Sequence, residues 1–182
     1  YCMMSTKRVR FVTDYTLQPI PGKTLSRRLP EGTALVLEGG GLRGYYSCGV
    51  MEAFMEKDLL FPYIIGVSAG AANALSYISG QPGRSREIIE HYVGNPDYVS
   101  TRNLLTKHTM FDFDYIFGTV PEKHIFFDWD KFHEQDTRFL TGAMNCADGK
   151  TVWFEKDTLK APFMASRASC SVPLITKIQH YM

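Results

Sequence analysis

The chain has 182 residues, 45% of them hydrophobic and 21% charged, and carries a net charge of +1. That size and mixture suit one globular domain with a core of its own, and no apolar run approaches the roughly 18 residues of a membrane-spanning helix. Four scattered cysteines, Cys2, Cys48, Cys146 and Cys170, make no C-x-x-C pair, and His91, His108, His124, His133 and His180 make no H-x-x-x-H or H-E-x-x-H spacing. Reduced thiols in a cytoplasmic setting are therefore expected, with no metal and no other cofactor.

Residues 1–30 come first and differ from the rest. Six cations, Lys7, Arg8, Arg10, Lys23, Arg27 and Arg28, stand against Asp14 alone, so this stretch holds +5 and the remainder −4. Pro19, Pro21, Gly22 and Pro30 mark it as loop. It is read as a basic N-terminal extension, solvated and threading over the fold. The second reading is peripheral contact with anionic lipid headgroups, worth about 1 kcal/mol per charge. Nucleic acid is not expected, because the cations lack interleaved aromatics and the body of the chain is acidic.

Residues 31–182 read as one domain. The apolar run Ala34-Leu35-Val36-Leu37 is a strand, Gly39-Gly40-Gly41-Leu42-Arg43-Gly44 a glycine loop, and Tyr45–Lys57 a helix with one apolar face. Tyr63-Ile64-Ile65 is the next strand. It runs into Gly66-Val67-Ser68-Ala69-Gly70, and a small-residue helix follows from Ala71. Strands alternating with helices in this way predict parallel strands and an α/β fold.

G-x-S-x-G between strand and helix is the pattern of a nucleophile elbow. A serine hydroxyl needs a base and a favourable position to attack. A sharp strand-to-helix turn lifts its Oγ clear of the backbone, and glycines two residues either side leave the room that the turn requires. The upstream loop matches G-x-G-x-x-G, whose bare amides at a helix start bind negative charge. A dinucleotide would require an acidic residue at the end of the following strand. That strand ends in Gly66-Val67-Ser68, so the charge to be held is instead the oxyanion of an acyl-transfer intermediate.

After the elbow helix, Gln81-Pro82-Gly83 breaks the chain and Arg84–Tyr92 reads as another helix. Residues 94–134 are looser. Phe111, Phe113, Tyr115, Phe117, Phe126, Phe127, Trp129 and Phe132 crowd there, either as a cap lining an acyl pocket or, the reading preferred, as packing onto the sheet. Asp148-Gly149 lies between two apolar stretches and predicts a hairpin turn. No internal repeat or low-complexity tract occurs.

Taken together, Gly39–Gly44, Gly66–Gly70 and the small-residue segment Ala165–Pro173, with its A-S-x-x-x-P ending, resemble the patatin-like phospholipase family. The resemblance spans about Thr33 to the C-terminus. It implies a three-layer α/β/α sheet with parallel central strands and a serine–aspartate dyad without metal or organic cofactor. The substrate would be a lipid or simple carboxylester. Carried over, Ser68 is the nucleophile and the loop Gly39, Gly40, Gly41 and Leu42 the oxyanion hole. Arg43, Gly44, Gly66, Val67, Ala69 and Gly70 complete the two motifs. Arg43 is expected to pair with a carboxylate and steady its own loop rather than meet a phosphate.

The family's aspartate belongs to a D-G-G or D-G-A motif just beyond A-S-x-x-x-P, and none of the nine residues after Pro173 is acidic. Asp148 precedes that segment and is given a structural role. The expectation is a catalytic domain truncated on its C-terminal side, with the aspartate beyond Met182. The 182 residues alone would then be weakly active at best, with an unpaired edge that invites association. Two alternatives are kept. One is a Ser-Asp-His esterase with His180 as base. The other is a degenerate patatin-like module that binds lipid or a partner without catalysis.

Overall fold

The computed structural model describes residues 19–159 and 163–180. The basic residues Lys7, Arg8 and Arg10 lie outside the described residues. Lys23, Arg27 and Arg28 lie inside and are built into the body of the fold. Strand β1 (Arg27–Arg28) runs parallel to a short β3 (Leu59–Leu60). Leu25 is 2% exposed, and its amide donates to the side-chain oxygen of Gln135.

The main sheet has four strands. β2 (Ala34–Leu37) and β4 (Tyr63–Val67) are adjacent and parallel, joined through helix α1 (Tyr45–Glu56). Parallel neighbours need such a crossover, because a tight hairpin can only reverse the chain. β5 (Arg138–Met144) lies parallel on the far side of β4, in a register that pairs Val67 with Gly142. β6 (Thr151–Glu155) returns antiparallel to β5, and the order across the sheet is β2-β4-β5-β6. The Asp148-Gly149 turn is the hairpin that the sequence predicts. Asp148 accepts from the Lys150 amide, and Gly149 takes the left-handed φ of +70° that favours glycine.

Helices pack on both sides of the parallel strands, so the fold is α/β. α2 (Ala69–Ile78) follows β4 directly and buries Ala71, Ala74, Leu75, Tyr77 and Ile78. Its small residues bring it within close range of the sheet. Ile64 and Phe139, fully buried on β4 and β5, complete the layer. Each such side chain contributes about 1.5–3 kcal/mol relative to exposure.

Between α2 and β5 the chain forms α3 (Arg84–His91), α4 (Thr101–Lys107), a wide π-type helix (Tyr115–His124) and α5 (Trp129–Glu134). Residues 94–134 are thus more ordered than the sequence suggests. The segments are short, and Pro121 inside the π helix can donate no backbone hydrogen bond, so no long regular period exists to be read. The aromatic crowd is core. Phe113, Phe117, Phe127 and Phe132 are buried, Phe127 meets Phe163 edge-on at 5.0 Å, and Trp129 stacks on Phe163 at 4.6 Å. Phe126 alone of this group is largely exposed. Phe163 leads into α6 (Met164–Cys170), so these rings fix α6 against the sheet.

Candidate active site

The carboxyl ends of β2, β4 and β5 open on one edge of the sheet, the edge where parallel α/β folds bind ligands. β4 ends at Val67 and α2 begins at Ala69, so Ser68 alone makes the turn. It has φ 53° and ψ −127°. A non-glycine residue held there stores about 1–3 kcal/mol and persists only where its surroundings fix it.

The glycines either side explain how the turn closes. A Cβ on Gly66 would stand 2.6 Å from the Cα of Ala71, and one on Gly70 would strike the carbonyl oxygen of Leu37 and lie 2.6 Å from that of Glu38. Both are steric necessities of a strand entering a helix that lies this close to β2.

The glycine loop faces the serine. A Cβ on Gly39 would lie 3.1 Å from the Cβ of Ser68 and 3.7 Å from its Oγ. Gly41 takes φ +56°, and a 3₁₀ turn runs over Gly41–Gly44 into α1. Among the described residues no acceptor takes the amide protons of Gly40, Gly41 or Leu42. They are free donors in the loop whose Gly39 lies against Ser68. The loop is anchored at its far end, where Asn73 of α2 donates to the Gly44 carbonyl at 3.0 Å.

Arg43 is exposed and makes no ion pair among the described residues, contrary to the expected salt bridge. Its side chain folds back over its own loop, with Nε 3.7 Å and Nη2 3.8 Å from where a Cβ on Gly40 would stand.

α6 meets the elbow from the β5 side. The Ser68 amide donates to the Ser169 hydroxyl at 2.7 Å, and that hydroxyl donates to the Gly142 carbonyl at 2.6 Å. Burial pushes the thiol of the next side chain, Cys170, up to about 12, so it is neutral and no base near neutral pH. The side chain of Ser68 is a smaller influence that lowers its pKa.

An open groove of about 1210 Å³ runs beside the elbow between the β5–β6 hairpin and the segment after α6. Val67, Met144, Trp153, Ser169, Val172 and Ile178 are on its walls. Among the described residues no carboxylate lines it, while exposed His180 does. Asp148 stays in its turn, bound to Lys150.

The structure therefore brings Ser68, Gly66, Val67, Ala69 and Gly70 together with Gly39, Gly40, Gly41, Leu42 and Gly44. Sequence reasoning assigned nothing to Asn73, Ser169 or Cys170. Ser169 carried a signal as the serine of A-S-x-x-x-P. Asn73, a polar residue in a run of alanines, carried a weaker one.

The parallel strands backed by helices on both sides are the α/β sheet that the patatin resemblance implied. The model of the patatin-like phospholipase family matches residues 35–181, and the chain belongs to that family. An uncharacterized protein of Escherichia coli K12, YjjU, is 33% identical over 102 residues, which are 56% of this chain and 29% of that protein. Two patatin-like phospholipase domain-containing proteins of Cryptococcus neoformans are 40% identical over 57 residues, 31% of this chain and 6% of each. The chain spans less than a third of the length of these relatives.

Proposed function

We propose that this chain carries the nucleophile and the oxyanion hole of a serine acyl hydrolase that cleaves lipid or simple carboxylic esters. The observation that supports this most is the conformation of Ser68, strained at a strand–helix junction, with unpaired amides in the loop whose Gly39 lies against it. Other non-glycine residues also hold positive φ, but His108 and Phe163 do so in the left-handed helical region, whereas Ser68 with ψ −127° lies outside it, where strain is greater.

In this reading the Ser68 Oγ attacks the ester carbonyl and the amides of Gly40, Gly41 and Leu42 receive the developing negative charge. The alkoxy group leaves with a proton, and water then releases the acyl group from Ser68. The proton is taken and returned by an aspartate of the family's D-G-G or D-G-A motif, beyond Met182. The absence of any carboxylate from the groove among the described residues fits that placement. The neutral Cys170 thiol is a neighbour of the nucleophile rather than its base. The exposed apolar side chains on the groove, Met144, Trp153 and Val172 among them, suit an acyl substituent. A Ser-Asp-His arrangement gains one point from the position of His180 on the groove. It lacks a carboxylate there to orient the imidazole.

Steady-state hydrolysis of a series of acyl esters by the full-length protein tests this. Ser68→Ala should lower kcat at least ~10³-fold, and His180→Ala should leave it within twofold. Full activity in Ser68→Ala would refute the assignment, and loss in His180→Ala would favour the triad.

A further inference from the structure

Ser68 is the first residue of its chain segment beyond the β4–β5 ladder, whose last register pair is Val67 with Gly142. From there β4 bends into α2 and the two backbones part. The Ser68 N–H has lost its place in the ladder, and the carbonyl at Gly142 points into the widening gap. No direct backbone bond joins this donor to this acceptor. The group that joins them must accept from one and donate to the other. A side-chain hydroxyl does both with one oxygen.

We infer that Ser169 is the positioning residue of the elbow: its hydroxyl is spliced between the Ser68 amide and the Gly142 carbonyl and holds the backbone of Ser68 in the conformation its chemistry uses. This rests on the reading of Ser68 as nucleophile. The bonds are short, 2.7 Å from the Ser68 amide and 2.6 Å on to Gly142. They join residues 101 and 27 positions apart, so the tether is tertiary and not a local turn.

The remaining restraints on Ser68 are weaker in kind. Its carbonyl accepts from Ala72 as part of the first turn of α2, which any helix start would supply. Gly66 and Gly70 permit the strained turn without enforcing it. Ser169 acts on the amide of Ser68 itself, the group whose direction is set by φ. Its own position is fixed by α6, which is wedged against the sheet through Phe163, with Phe127 edge-on and Trp129 stacked on its ring. The aromatic core therefore reaches the elbow through one hydroxyl. Gly142 is held in turn, because the Trp153 ring lies across it where a Cβ would come within 2.6 Å.

The tether predicts a separation of kcat from KM. Ser169→Ala leaves an amide and a carbonyl facing each other with no partner, and the strained φ is free to relax. Ser68 then loses aim while the groove that receives the substrate keeps its walls. Ser169→Thr retains the hydroxyl.

The test uses the full-length protein with Ser169→Ala and Ser169→Thr. Residue-resolved hydrogen exchange of the Ser68 amide is measured together with ester hydrolysis and the rate of fluorophosphonate labelling. The expected result for Ser169→Ala is exchange at Ser68 faster by about 10- to 100-fold. kcat and the labelling rate should fall by a similar factor with KM within twofold, and Ser169→Thr should recover most of each. Unchanged exchange at Ser68 in Ser169→Ala, or unchanged kcat, would overturn the inference, as would a loss confined to KM. A wild-type protein inert to ester and fluorophosphonate alike would count against the nucleophile reading instead, and the exchange measurement would still decide whether the tether exists.

Discussion

Asn73 of α2 donates its side-chain amide to the carbonyl oxygen of Gly44 at 3.0 Å, and so ties the helix that begins at the elbow to the end of the glycine loop. The loop and the elbow come from different strands, and this bond is the direct polar link that holds their spacing. Asn73→Ala removes it and leaves the carbonyl unpaired. The expected loss of stability is about 0.5–1.5 kcal/mol. On the proposed function kcat should fall about 2- to 10-fold as the loop amides drift. Thermal unfolding and ester hydrolysis measured side by side check both.

Glycines in this chain fall into two kinds, and substitution by alanine separates them. Gly66→Ala and Gly70→Ala force a Cβ into backbone that cannot yield, and each should destabilise by about 1–3 kcal/mol or more. Gly49 lies on an exposed turn of α1 with nothing within 4 Å of a Cβ built there. Gly49→Ala should therefore stabilise by about 0.5–1 kcal/mol. Urea unfolding of the three variants gives the comparison, and a destabilised Gly49→Ala would contradict it.

Gln135, 2% exposed, accepts from the Leu25 amide and donates to the Lys23 carbonyl. It clasps residues 23–25 on the fold together with the bond from the Lys23 amide to the Gly80 carbonyl. Gln135→Ala leaves both backbone groups short of a partner, at about 1–3 kcal/mol each where they stay buried. Beyond the lower stability, trypsin should cut at Lys23, Arg27 or Arg28 sooner than in the wild type. Equal cleavage rates would show that the segment is held by other means.

Glu52 of α1 reaches the start of α3, where its Oε2 accepts from the Gly83 amide at 2.9 Å while Oε1 is buried without a partner. Burial raises its pKa above the usual carboxylate range, outweighing the bond from Gly83 that lowers it. The folded state thus holds this proton more tightly than the unfolded one. Its contribution to stability is present below the ordinary glutamate value of about 4.3 and is lost as pH rises through the raised folded value. Glu52→Gln keeps an acceptor for Gly83 and cannot ionise, so the difference in stability between variant and wild type should grow with pH across that window. Denaturant midpoints at several pH values measure it, and parallel pH profiles would contradict it.

Much of the fold is legible in local pattern. Ala34–Leu37 and Tyr63–Ile65 are apolar runs closed by glycine loops, and such runs followed by helical periods mark parallel strands. The elbow is legible because sterics demand glycine at Gly66 and Gly70. The stretch 94–134 is not, because its helices are short, one is a π helix around Pro121, and its aromatics are fixed by a partner, Phe163, far along the chain. Leu25 was hidden for the same reason. A single leucine among prolines and cations reads as loop until Gln135, 110 residues away, is seen to receive its amide. Arg43 shows the reverse error, since charge in a loop suggests an ion pair and none forms among the described residues. Ser169 stood in a recognisable motif, yet its task depends on where β4 and β5 part company, which no spacing along the chain reveals.

The central claim is that Ser68 is the nucleophile, and covalent capture tests it with the least inference. The full-length protein is treated with an alkyl fluorophosphonate and the modified residue is located by peptide mass spectrometry. The account predicts a single adduct on Ser68, formed faster than on free serine and absent from Ser68→Ala. No adduct, or one on another residue that survives Ser68→Ala, would contradict it.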